Sequence, residues 1–437
     1  MGTEARLDLA HEWAGHWWLP EEPDRTLEGT LRYDPDDGLR LSLTGGFDDR
    51  VRVPLGNGWV GVMNESKSWP AVLGLAEGTA ITLLDCHATN TEWRGIGFGE
   101  PHEQTIRSPA AFVGVHLHDD GQEVFTESLV SVEHLALWAD ASARPDDEPS
   151  VVVDGTSVTL SRDHPDAVAV RFRPGGPFPL GTALEHAKAV QDLVSLATHR
   201  ACALLSVRLR TTPEQPEAAA YFQRTVRGGA GAADLRSALF TCRDIPFEEI
   251  VVKWWQVRQR FTAAANMVLG LRYAPAHYVE TRLLTAVGAA EVMHRALDLD
   301  EKHMPKHEFN ELRDMLLEHA PQEHRAWLKE KIRNDVTLQE RLLALADLPD
   351  AAAIQRLVPD AELWARTTTR ARNDLTHTGQ TPQQSLDELI AVVSVTSAVV
   401  VLNLLQQLGV PGERQRKLVE DHPEFQRTAG EAKAHLT

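Results

Sequence analysis

One change of hydrophobic period divides this chain and limits what it can fold into. From about residue 27 to 174 apolar residues come in short, β-branched runs separated by Gly, Pro, Asn or Asp, the pattern of strands. Leu27 to Tyr33 and Leu39 to Leu43 flank Asp34-Pro35-Asp36-Asp37-Gly38, a hairpin signature. Further strands are expected at Val51 to Pro54, Trp59 to Met63, Ala80 to Asp85, Ala111 to Leu117, Glu123 to Val130, Ser150 to Val153, Ser157 to Ser161 and Ala167 to Phe172. After Pro179 the spacing becomes helical, with Leu184, Ala187, Val190, Leu193, Leu196 and Ala197 on one face of a helix expected over Leu180 to Leu205. From about Phe247 helices follow almost without exception, at Ala276 to Leu297, Glu308 to His319, Glu323 to Asn334, Leu338 to Ala346, Ala361 to Leu375 and Ser385 to Leu408. The fold class is therefore α+β multidomain. An antiparallel β-rich domain, with an irregular sandwich or barrel-like core and a closing helix, spans 1–205. A loop-rich connector spans 206–270, including the run Gly228-Gly229-Ala230-Gly231, and an all-α bundle spans 271–437.

At 437 residues, 43% hydrophobic and 24% charged, the chain suits a soluble protein with real cores rather than a disordered one. Met1 to Ala10 carries Glu4 and Asp8 and lacks an apolar stretch of the secretory kind. Cys86, Cys202 and Cys242 are odd in number, far apart and without metal-ligand spacing, which favours reduced thiols and the cytoplasm. Leu389 to Leu408 approaches membrane-spanning length, yet Ser394, Thr396, Ser397, Asn403, Gln406 and Gln407 interrupt it. A helix buried in the bundle or facing a second subunit fits better, and no membrane contact is expected.

A net charge of −19 argues against general affinity for nucleic acid, because phosphate neutralisation by Lys and Arg supplies most non-specific binding. Any RNA contact must be local. Arg366 and Arg370 stand four apart on an expected helix, Arg372 follows, and Lys329, Lys331 and Arg333 add charge on a preceding segment. The alternative is that these cations pair with the surplus carboxylates.

Several apparent motifs fail on spacing. His11 and His16 are five apart, not the four that place two zinc ligands on one helix face. Gly95-Ile96-Gly97-Phe98-Gly99 lacks dinucleotide-binding spacing and a βαβ setting. His116 and His118 share an expected strand face with no cysteine or carboxylate to complete a metal set. Trp13, Trp17 and Trp18 read as core anchors before ligand platforms. No cofactor or metal is expected.

Arg372-Asn373-Asp374-Leu375-Thr376-His377 carries more chemistry. A guanidinium is a permanent, planar phosphate clamp, and an imidazole can both take and give a proton near neutrality. Five residues of ideal helix separate Arg372 from His377 by about 140°, so a bend or an ending is expected between them. Thr378-Gly379 and Pro382 supply the stop, and Asn373 could tie the loosened backbone or hold the imidazole. The bland reading is an arginine in a surface ion pair and a histidine at a helix C-terminus.

The setting of this Arg-Asn-x-x-x-His pattern, late in an all-α domain and before a long apolar helix, resembles the HEPN superfamily. Upstream, Leu283 to Arg295 contains Ala290-Glu291-Val292-Met293-His294-Arg295, which resembles the corresponding helix of the ApeA-like HEPN group. At the other end, His11-Glu12-Trp13-Ala14-Gly15-His16-Trp17-Trp18-Leu19-Pro20, then Leu27 to Leu31 and Leu41 to Gly45, resemble the opening of the ApeA N-terminal domain. The two likenesses cover most of the chain.

The resemblance implies a metal-independent endoribonuclease of abortive-infection defence, working as a homodimer with two motif copies facing one another. It implies Arg372 and His377 as catalytic residues supported by Asn373 and Glu291, with Arg366 and Arg370 against RNA. A tRNA is the family-level expectation for the substrate, and a phage-derived protein for the trigger sensed by the β-rich domain. Glu291 either orients Arg372 or His377, or bridges to Arg282, Arg295 or another helix as a structural pair. A catalytically silent scaffold or binding module is the alternative function.

Overall fold

The computed structural model describes residues 5–48, 51–57, 59–63, 68–93, 100–140, 148–164, 167–212, 215–228, 237–274, 278–299 and 302–437. The glycine-rich 95–99 segment and the glycine run beyond Gly228 lie outside them. Two compact units divide the chain, Met1–Glu248 and Glu249–Thr437.

Strict alternation builds the first unit. In β1 (His11–Trp18), β2 (Leu27–Asp34) and β3 (Gly38–Thr44), residues Trp17, Leu31, Tyr33, Leu39, Leu41 and Leu43 turn inward while Glu12, Glu28, Arg32, Arg40 and Ser42 face water. A two-stranded sheet, β4 (Val51–Gly56) with β5 (Trp59–Met63), follows. With β6 (Ser68–Ala76), β7 (Thr79–Trp93) and β8 (Pro101–Ser108), the first three strands close a six-stranded antiparallel barrel in the order β7-β6-β1-β2-β3-β8, since β8 also pairs with β7. The long β7 serves two neighbours: its first half pairs with β9 (Ala110–Val113) and its second half with β8. From β9 the sheet continues through β15 (Ala218–Phe222), β14 (Leu204–Arg210), β10 (Glu127–Val132), β13 (Ala167–Arg173), β12 (Thr156–His164) and β11 (Ser150–Val153). The short helix α1 (Leu135–Trp138) follows β10, and α2 (Leu180–Thr198) packs on β10 and β14.

The sequence expectations need correction in three places. His116 and His118 do not share a strand face: β9 ends at Val113, Gly114 turns the chain at φ 117, and the His116 imidazole meets the Gly74 carbonyl at 2.9 Å. The closing helix stops at Thr198, where His199 takes a left-handed conformation, and residues 204–210 form β14 instead. The expected connector 206–270 therefore supplies β14 and β15 to the sheet and most of α3 (Phe247–Tyr273) to the helices. Cys86 and Cys202 are buried, and burial pushes the Cys86 thiol up to about 12, which leaves it unreactive.

Two glycines let β1 cross β6 closely. Trp17 stands opposite Gly74 in the register, and its ring covers that position so closely that a Cβ on Gly74 would lie 2.4 Å from ring carbons. A Cβ on Gly15 would lie 2.3 Å from the Leu75 carbonyl oxygen, backbone that cannot rotate aside.

In the second unit the central helix is α10 (Leu386–Gln407), started by a Ser385/Glu388 capping box. Its long apolar stretch has the length and composition of a membrane span, and 78% of its most apolar 18-residue window is buried inside the unit. Around it pack α4 (Val279–Ala296), α7 (Leu338–Ala346), α9 (Ala361–Thr378), α11 (Gly412–Asp421) and α12 (Pro423–His435), with α8 (Ala351–Leu357) against α11 and α12. The hairpin of α5 (Lys306–His319) and α6 (Gln322–Lys331) differs from the rest, because neither helix has a buried residue.

Gly15→Ala is expected to destabilise the first unit by about 1–3 kcal/mol, the range for overpacking. The measurement is the urea midpoint followed by tryptophan fluorescence, and an unchanged midpoint would contradict the close β1–β6 crossing.

Candidate active site

The site is built on α9, and α9 does not break where the sequence suggested. Asp360 caps its start by accepting from the Leu363 amide at 2.8 Å. The helix then runs through Arg372 and His377 to Thr378, and Gly379 ends it in a left-handed conformation at φ 72, its amide donating to the Leu375 carbonyl at 3.0 Å. Thr376 and Thr378 donate their hydroxyls to the carbonyls of Arg372 and Asp374, each at 2.7 Å, so the last turn stays wound. The expectation that a loosened last turn brings His377 toward Arg372 is therefore corrected, while the helix does stop at Thr378-Gly379 as the sequence suggests.

Continuity creates a different grouping. Relative to Arg366, ideal helix geometry places Arg370 at about +40°, Asn373 at about −20° and His377 at about +20°. These four side chains share one stripe, and burial agrees: Arg366, Arg370 and His377 are exposed and Asn373 is half-buried. The opposite side carries Trp364, Ala365, Thr368 and Ala371, all buried. Arg366 and Arg370 make no ion pair among the described residues.

Arg372 lies around the side of the helix, about 120° from Arg366. It reaches in two directions. Nη2 approaches Glu291 Oε1 of α4 at 3.4 Å, and Nη1 donates to Asn373 Oδ1 at 3.1 Å. Glu291 thus meets Arg372 rather than Arg282 or Arg295, and the Asn373 amide oxygen serves the guanidinium rather than the backbone. The Arg372 and Glu291 side chains retain 34% and 21% of their exposure, so the pair is screened and contributes at most about 1 kcal/mol. Its consequence is orientation. A guanidinium has five donor hydrogens, and a carboxylate on one side with an amide on the other leaves the remaining donors available to a phosphate.

The structure therefore brings Glu291, Arg372 and Asn373 together and aligns Asn373 with His377, Arg370 and Arg366. It does not bring Arg372 and His377 onto one face of the helix. The i, i+4, i+7, i+11 spacing of residues 366, 370, 373 and 377 was present in the sequence, but it defines a face only once the helix is known to be unbroken.

Comparison with known families matches both halves of the chain. The family model "ApeA N-terminal domain 1" matches residues 12–163 and 161–254, more than half of the chain. The "Apea-like HEPN" model matches residues 284–414, the stretch that holds Glu291 and all of α9. No curated protein and no solved structure matches the chain.

Glu291→Ala is expected to lower thermal stability by less than about 1 kcal/mol, as for other half-exposed pairs. Thermal melting of the full chain checks this, and a loss of several kcal/mol would mean that Glu291 is chiefly a structural residue.

Proposed function

The chain belongs to the ApeA-type proteins, with an ApeA N-terminal domain and an ApeA-like HEPN domain, and from this premise we propose that it is a metal-independent endoribonuclease of anti-phage defence. Its HEPN domain makes it a nuclease-type defence protein at the family level. The observation that carries the finer reading is the α9 stripe, in which a proton-transfer group, His377, ends a track of exposed arginines, while an oriented Arg372 projects from another side of the same helix.

In this reading RNA phosphates run along Arg366 and Arg370, and Arg372 holds the scissile phosphate and stabilises the charge that builds up during the reaction. His377 removes the proton from the ribose 2'-hydroxyl, whose oxygen attacks the adjacent phosphorus. The P–O5' bond breaks, the 5'-oxygen takes a proton from a second imidazole, and the products are a 2',3'-cyclic phosphate and a 5'-hydroxyl. DNA, without the 2'-hydroxyl, cannot follow this path. One copy of α9 supplies one imidazole, so the partner's His377 completes the acid–base pair in a homodimer. Glu291 and Asn373 act as positioning residues for Arg372. The substrate is a cytosolic RNA, with a tRNA as the leading class, and a phage-derived protein sensed through the β-rich domain releases the activity.

The test uses the purified full chain with cellular RNA in EDTA, beside His377→Ala and Arg372→Ala. His377→Ala is expected to lose about 10²- to 10⁴-fold in cleavage rate, the span for removing a general acid or base, and Arg372→Ala about 10²- to 10³-fold, the span for removing a charge-stabilising donor. Cleavage by both variants at the wild-type rate would remove the proposed site.

A further inference from the structure

We propose that the α5–α6 hairpin is an RNA-holding arm of the same nuclease, in which Trp327 stacks on an unpaired base and Lys329 and Lys331 hold the flanking phosphates. The proposal rests on the ribonuclease reading of α9 and names the kind of RNA it takes: one with an unstacked base near the cut.

Its first support is the arm's isolation. From residue 302 to 335 no side chain is buried, and Trp327 is 58% exposed. Tryptophan is large and apolar, and leaving it in water forfeits roughly 1.5–3 kcal/mol of burial available to a large apolar side chain. An indole face in that position fits a flat partner. Every nucleobase offers a π-face, and proteins that bind single-stranded nucleic acid combine such aromatic platforms with cations.

The second support is charge. The segment Arg325 to Arg333 holds four cations, Arg325, Lys329, Lys331 and Arg333, against one carboxylate, Glu330, in a chain whose net charge is −19. Arg325 is committed to the α5–α6 turn through the carbonyls of Ala320 at 3.0 Å and Glu318 at 2.9 Å. Lys329 and Lys331 are exposed and make no ion pair among the described residues, although carboxylates outnumber cations in the chain. Lys331 lies one turn beyond Trp327 on the same face, as phosphate and base lie side by side on a strand. Between Lys306 and Lys331 the hairpin carries five Lys/Arg against six Asp/Glu, so the cationic surface is confined to the C-terminal end of α6, where its complement is a phosphate.

Continuity with α9 is the third. Lys302 pairs with Asp335 at 2.6 Å, and Asn334 bonds the Met304 amide and carbonyl at 3.0 and 2.7 Å, closing the arm's root. His303 meets Glu340 in the first turn of α7 at 3.1 Å, and the neighbouring Gln339 donates to Glu362 at the start of α9 at 3.2 Å. Arg366 follows one turn later. The root of the arm thus leads to the beginning of the stripe, which runs for roughly 16 Å from Arg366 to His377. RNA held on the arm would enter the stripe at Arg366.

A second copy of the chain is the competing occupant, since Leu312, Met315 and Leu316 of α5 are 38%, 53% and 47% exposed. Lysine is depleted in protein–protein interfaces, and the unpaired Lys329 and Lys331 beside Trp327 favour RNA for the α6 face.

The experiment measures fluorescence anisotropy of a labelled RNA hairpin with a single-stranded loop, and of a fully paired RNA duplex, on the full chain carrying His377→Ala to prevent turnover. Trp327→Ala is expected to weaken loop binding by about tenfold, while Trp327→Phe retains most of it. Lys329→Glu/Lys331→Glu is expected to weaken binding and flatten its salt dependence. The loop RNA is expected to bind more tightly than the duplex. Equal affinity of Trp327→Ala and its parent, with the parent binding RNA, would overturn the arm while leaving the ribonuclease reading intact. Failure of the parent to bind either RNA would overturn both. A change of Trp327→Ala from dimer to monomer by sedimentation, with RNA affinity unchanged, would make the arm a subunit contact and overturn the proposal.

Discussion

The rotation of α9 about its own axis governs everything that can be said about the site. That rotation is set by a buried contact: the Trp364 indole N–H donates to the Thr396 hydroxyl of α10 at 3.2 Å, with both residues fully buried. An indole left without a partner there would incur the uncompensated desolvation cost of its N–H, so the contact fixes direction as well as attachment. With Trp364, Ala365, Thr368 and Ala371 turned inward, Arg366, Arg370, Asn373 and His377 have nowhere to go but out. The core of the helical unit thus decides which chemistry faces water.

The electrostatics follow a similar logic of placement over total. A chain this acidic repels phosphate in general, and its arginines are for the most part tied to carboxylates, as in Arg208 and Arg210 with Glu217 or Arg272 with Glu424. Among the described residues the cations without a carboxylate partner include Lys329, Lys331, Arg366 and Arg370, all on surfaces turned outward. Arg372 is the informative intermediate. Glu291 is close enough to aim its guanidinium and exposed enough not to lock it, the condition for a clamp that must exchange one anion for another.

Much of this was legible in the sequence, and the parts that were not share a cause. The switch from period-two runs to helical spacing gave both folds, and Glu291 and the Arg372–His377 pattern stood out by residue type and setting. What escaped were features decided by distant partners. The strands Ser68–Ala76 and Pro101–Ser108 are held by pairings that close a barrel, and residues 206–222 read as a connector because their strands are edges until β9 and β10 flank them. The last turn of α9 was misjudged locally: a bend or an ending was expected between Arg372 and His377, but the Thr376 and Thr378 hydroxyls bond carbonyls one turn back and the turn stays wound until Gly379. The bareness of the α5–α6 arm was equally hidden, because an amphipathic helix reads the same whether or not anything covers it.

The central claim is that α9 delivers an imidazole to a ribose 2'-hydroxyl. It is tested most directly by one measurement, the rate of cleavage by the wild-type protein, in EDTA, of an RNA carrying a single 2'-deoxynucleotide immediately 5' to the mapped cut. The account predicts that this one missing oxygen abolishes cleavage at that phosphate while neighbouring sites are unaffected. Cleavage there at the rate of the unmodified RNA would contradict it.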